Sequence, residues 1–212
     1  MDIEMDTMKK EMGGAFVVAW LIVGMGWGSL EAALMMAAAW MAFSGAHILP
    51  VVTWMHMMTG DLSDAEGNWM ANGMRLVAQI VGAVLAIALA TEVGAVETSW
   101  DLVQPGFDTP GTWDAIGMVA AGAIFWMVHT RADSAWVSAF AVMVLAGTMG
   151  MTYDVTTEAG DLVVSTTGAG EMASSIMSSG EDIVNIATAW IVSGLLCGVG
   201  ALLATKMDEM IE

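Results

Sequence analysis

The side chains able to do chemistry are few in this chain and fall in a handful of places. His47 lies in FSGAHILPVVTW, residues 43 to 54, and Met55, His56, Met57 and Met58 follow it directly. Glu11 and Asp114 stand where apolar runs begin, and Glu171, Ser174 and Ser175 fall in the short stretch GEMASS. Thioether and imidazole ligands suit Cu(I), so WMHMM is a candidate copper site. The competing reading is Met as an apolar gap filler, and the 22 methionines favour it because they recur in most of the apolar runs without fixed spacing. An intramembrane His faces a cavity or a partner, so His47 fits both a pore lining and a core imidazole bonded to a carbonyl. His129, next to Arg131, reads as interfacial and takes no role. Asp114 reads as a solvated helix N-cap.

Other chemistries fail on inventory. No apolar run contains a Lys to anchor a Schiff base, no Ser-His-acid constellation can be traced, and no Gly-rich phosphate loop appears. Cys197, the single cysteine, excludes a disulfide framework and a cysteine metal cluster. The chain is therefore read as no enzyme, with no cofactor and no resident metal. With 5 basic against 23 acidic residues and a net charge of -18, nucleic acid is excluded as a partner, and the acidity reads as a solvated face.

The elements that must position these residues are apolar runs at about 12–28, 31–46, 74–94, 113–130, 134–152 and 183–205. A bilayer core of about 30 Å takes roughly 20 apolar residues per helix, so 212 residues give six spans in one transmembrane domain over 1–212. Two short segments remain, 48–58 and 170–179, each after a small-residue turn and each too short to span. Six spans place Lys9, Lys10, Arg75, Arg131 and Lys206 on one side, which predicts a multi-pass cell-membrane protein with both termini cytoplasmic. The MKK start reads as an uncleaved first helix, and Trp27, Trp54, Trp69, Trp100, Trp113 and Trp136 as an interfacial belt. A short segment after the second span of each half, entering from opposite faces, predicts an inverted repeat with halves of about 9–95 and 112–205.

SGAHILPVVTW resembles the first signature of the aquaporin and glycerol-facilitator family, Ser-Gly-Ala-His-x-Asn-Pro-Ala-Val-Thr, through Ser44, Gly45, Ala46, His47, Pro50, Val52 and Thr53. EMGGAF from Glu11 is similar to that family's first helix, and AQIVGA, through Ala78, Gln79, Gly82 and Ala83, to its third. In the second half only Thr167, Gly168 and Ala169 match. The resemblance implies an all-α membrane fold of six transmembrane helices plus two re-entrant half-helices meeting at mid-membrane, assembled as a homotetramer with one pore per subunit. It gives Glu11 a scaffold role under the first re-entrant loop, whose SGAH carbonyls would face the solute.

The family's two Asn donors are replaced by Leu49 and Met172, and its filter Arg by Ser175. The expected function is a passive channel for water or small neutral solutes. Its pore would be lined by His47, Ile48, Leu49, Pro50, Val51, Gly170, Glu171, Met172 and Ala173, with Ser174 and Ser175 at the former filter. The alternatives are a Met/His-rich copper-handling membrane protein and a closed, non-conducting aquaporin-like scaffold.

Overall fold

A computed structural model of the protein describes residues 4–20, 29–92, 111–148, 169–177 and 183–211. Every regular element among them is helical: α1 (Met5–Val18), α2 (Ser29–Ala42), α3 (Pro50–Thr59), a π-helical turn (Ala65–Met70) running into α4 (Ala71–Glu92), α5 (Thr112–Ala132), α6 (Ala135–Thr148), α7 (Gly170–Met177) and α8 (Ile183–Ile211). Among the described residues three helices are long and apolar enough to cross a membrane: Ala65–Leu89, Thr112–Ala132 and Trp190–Ile211. The chain is an all-helical membrane protein. Shorter apolar helices cover Leu30–Ala42 and Ala135–Leu145. The predicted runs 12–28, 74–94 and 134–152 extend past the described residues.

Local chemistry sets the breaks. Pro50 opens α3 at the first helical position, where its missing N–H costs no hydrogen bond and its fixed φ suits the turn. Gly60, in extended conformation, ends the same helix. Asp64 then caps the π turn by accepting from the N–H groups of Glu66 and Gly67. In the loop between, Ser63 donates through its hydroxyl (2.7 Å) and its N–H (2.9 Å) to Asp61 Oδ1, which holds that carboxyl below the usual carboxylate range. Asp133, in left-handed conformation at φ 44°, closes α5.

Asn68 locks the α3–α4 connection. Its buried Nδ2 donates to the carbonyls of Met57 (2.8 Å) and Asp61 (3.0 Å), and its Oδ1 accepts from Asn72 Nδ2 (2.9 Å). Removing the amide strands these partners, so Asn68→Ala is expected to destabilise the protein by about 2 kcal/mol. A melting temperature in detergent equal to that of the unmodified protein would show that the loop holds itself.

The expectation for Asp114 needs correction. The helix begins one turn earlier at an N-cap of Gly111, and Asp114, in the first turn, reaches back to accept from the Gly111 N–H at 3.1 Å. A carboxylate at that position satisfies a free N–H and faces the positive end of the helix dipole.

Packing follows a simple rule. α1 packs on α2 and α4, and α5 packs on α6 and α8. The short α3 lies against α4 and α8, the short α7 against α8 and α4, and α2 meets α6. Exchanging α1 with α5, α2 with α6, α3 with α7 and α4 with α8 returns the same set of contacts. Between apolar helices in lipid, close packing rather than water exclusion holds the interface, so small residues sit at the crossings. A Cβ on Gly82 would strike the Met12 carbonyl of α1, and one on Gly122 or Gly200 would strike the backbone of the facing helix in the α5–α8 pair.

Candidate functional site

The break between α2 and α3 is built around one carboxylate. Gly45 turns the chain at φ 88°, and Ile48 follows at φ 55°, a left-handed conformation in which a β-branched residue costs of order 1–3 kcal/mol. The strain is held by Glu11, fully buried on α1. Its Oε1 accepts from the His47 N–H (2.7 Å) and from Arg75 Nη1 (3.0 Å). Its Oε2 accepts from the Ile48 N–H (2.8 Å) and from Gln79 Nε2 (2.8 Å). Four donors on two oxygens satisfy the charge, and Arg75 balances it. One turn along α1, Gly14 leaves the space that the Ile48 side chain fills.

Thr53, on the first turn of α3, carries the network further. Its Oγ1 contacts Gln79 Nε2 (3.0 Å), His47 Nδ1 (3.1 Å) and the Leu49 carbonyl (3.3 Å). A hydroxyl has one proton, so all three contacts are satisfied together only when His47 Nδ1 carries a hydrogen and donates it. The His47 carbonyl accepts from Trp40 Nε1 (3.0 Å) and from the Leu49 N–H (2.7 Å). That carbonyl, expected to face a solute, is therefore already engaged.

Beyond His47 the structure gathers all three histidines of the chain. His56 stacks on His47 with ring centres 4.1 Å apart and planes 5° from parallel. Trp126 lies edge-on to His56 at 4.9 Å, and His129 at 6.3 Å. His129 bonds Ser138 Oγ through Nδ1 (2.8 Å) and stacks on Phe125 at 5.3 Å. Trp40 lies 5.8 Å from His129, and Trp126 Nε1 donates to Thr205 at 3.0 Å. Helices from both halves thus converge here. Sequence reasoning left His129 without a role, although its neighbour Arg131 placed it on the same predicted face as the end of α3.

This arrangement suits ring stacking more than chelation. Imidazole lone pairs lie in the ring plane, so two parallel rings aim them alongside each other and not at one ion. Among the described residues no group of three or more His, Cys, Asp or Glu could hold a metal ion. Of the other donors of the copper reading, Met55 and Met57 are buried in apolar clusters and Met58 is half-buried.

The predicted lining residues divide. His47 is half-buried, whereas Ile48, Leu49, Pro50, Val51, Gly170, Met172 and Ala173 are buried. Leu49 has 0% of its surface exposed. It belongs to the cluster that joins α1, α2, α3, α5, α6 and α8, while Met172 sits with Trp54, Leu76 and Trp190. The side chains of Glu171, Ser174 and Ser175 lie outside those described. Compared with protein-family models and with curated proteins, the chain matches none.

Proposed function

We propose that this protein is a passive transmembrane channel for water or small neutral solutes, similar in plan to the aquaporin and glycerol-facilitator family. In this reading α1, α2, α4, α5, α6 and α8 are the six spans, and α3 and α7 are re-entrant half-helices. The chain lies in the cell membrane with both termini cytoplasmic and assembles as a homotetramer. The observation that carries the reading is the exchange of halves that leaves the helix contacts unchanged. A repeat with two short helices, each cradled by the long last helix of both halves, is what two half-helices meeting from opposite faces require. The Glu11 anchor supports it, since irregular backbone survives at membrane depth only where protein satisfies its polar groups.

The pore chemistry departs from the family at its centre. Leu49 and Met172 offer a passing solute no donor, and Ser175 in place of Arg weakens the barrier to cations and larger molecules. The half-helix N-termini, each worth about half a positive charge, still oppose cations. A second reading, a closed scaffold that does not conduct, draws on the burial of Leu49 and Ile48. Stopped-flow light scattering on proteoliposomes separates the two. Water efflux, glycerol uptake or urea uptake faster than in empty liposomes is the expected result and names the solute class; rates equal to bare lipid at every pH would leave only the scaffold.

A further inference from the structure

We infer that the indole N–H groups of Trp54 and Trp190 form a binding site for a small neutral molecule that carries an acceptor oxygen, water being the smallest. That this site lies on the solute path rests on the channel reading above; the site itself stands without it.

Trp54 lies one turn into α3, and Trp190 stands on α8. Both are more than nine-tenths buried, at 8% and 5% exposure. Their rings meet edge to face, with centres 5.9 Å apart and planes at 75°. Gly194, one turn after Trp190 on the same face of α8, leaves the space that the pyrrole edge of Trp54 fills, with Cδ1 and Nε1 nearest to it. The nitrogen edge of Trp54 therefore lies against the stretch of α8 that carries Trp190. Neither N–H has an acceptor among the described residues. In an edge-to-face pair only one ring points its edge at the other, so the weak acceptor that a ring face provides serves one N–H at most. Buried indoles ordinarily find a partner, as Trp40 does on the His47 carbonyl and Trp126 on the Thr205 hydroxyl.

Among the described residues one other buried side-chain nitrogen or oxygen goes unpartnered, Gln79 Oε1 on α4. The same helix supplies Leu76 and Ile80 to the cluster around the two indoles. All three unpartnered atoms thus lie on α3 or on the two helices it packs against. Two donors and one acceptor left over in one place are what a buried hydrogen-bonding guest satisfies. An indole donates and cannot accept, so the pair selects an oxygen acceptor and rejects ammonium and metal cations. Met172, from the first turn of α7, closes the cluster together with Met57. Both are unbranched, with three rotatable bonds, and can move aside without moving a helix. Leu49 and Met172 give a solute no donor; the two indoles, one of them a turn along α3 from Leu49, supply it instead.

The test reads hydration of each indole directly. Protein carrying isotope-labelled tryptophan is reconstituted in lipid bilayers, and magnetisation transfer from water to the indole N–H groups is followed by solid-state NMR. Trp54→Phe, Trp190→Phe, Trp40→Phe and Trp113→Phe each keep an aromatic ring and assign one signal by its loss. Trp40, bonded to the His47 carbonyl and 8% exposed, is the dry reference, and Trp113, 81% exposed, the wet one. Transfer to Trp54 and Trp190 is expected to come within about threefold of that to Trp113. Transfer no faster than that to Trp40 would overturn the site. A Trp190→Phe protein that melts above the parent would overturn it too, since removing an orphaned donor relieves a cost that a bound guest would already have met. In proteoliposomes Trp190→Phe is expected to slow water and urea permeation about fivefold, the worth of one hydrogen bond. Unchanged rates in a conducting protein would take the pair off the solute path. Absence of conduction in the parent would remove the channel reading, and the NMR transfer would still decide the site.

Discussion

Glu11→Ala is expected to destroy the break between α2 and α3, and with it most of the stability of the protein. The substitution leaves the His47 and Ile48 N–H groups without an acceptor, orphans one N–H of the Gln79 amide, and leaves Arg75 facing no anion. Removing one member of a buried ion pair alone costs about 3–5 kcal/mol, and each orphaned buried donor adds roughly 1–3 kcal/mol. The total rivals the roughly 5–15 kcal/mol by which a typical domain is stable. Ile48 would then leave its left-handed conformation, since nothing else among the described contacts holds its N–H. Glu11→Gln should lose about half as much, because an amide keeps one acceptor oxygen and turns its NH2 towards two donors. Thermal unfolding in detergent checks both, and a Glu11→Ala protein that melts with the parent would refute the anchor.

Replacing Leu49 by Asn is expected to raise water permeability about tenfold, because it puts a hydrogen-bonding group where the proposed pore has none. Leu49 is also the N-cap of α3 and makes no side-chain cap. An Asn there can accept from the first free N–H groups of the helix, worth about 1 kcal/mol, which offsets part of the lost apolar burial. Adding Ser175→Arg should then shift selectivity towards water and against larger or charged solutes. Stopped-flow rates for water, glycerol and urea give the answer; identical rates in parent and variants would mean that neither residue faces a solute path.

Much of this architecture was legible in the sequence, for reasons that can be traced. Pro50 after SGAH announced a helix start inside an apolar region, and the structure opens α3 there. Glu11 was readable only through the family resemblance, which gave it a scaffold role; the donors it meets on the α2–α3 break and on α4 have no mark in its own run. The triad of imidazoles was not readable, since His47, His56 and His129 lie on two halves of the chain and no local period connects residues 56 and 129. Only the fold brings them together, through α3 lying near α5 and α8. Asn68 escaped for a similar reason: its partners are the carbonyls of a helix end and a loop, which leave no pattern of side-chain types. The second short segment stayed thin in the sequence, where three residues carried the match, and the Glu171, Ser174 and Ser175 side chains fall outside the described set.

The cradling of α3 by α8 bears on how the protein is made. α3 emerges from the ribosome well before α8, one of the two helices it packs against, which follows it by more than a hundred residues. Through most of translation α3 has α4 and the Glu11 anchor but not its second wall. A half broken off after α4 would therefore expose the face of α3 that α8 should cover, and the first half cannot mature on its own schedule. Arrival of α8, more than insertion of α3 itself, is the event that commits the first half to its final state.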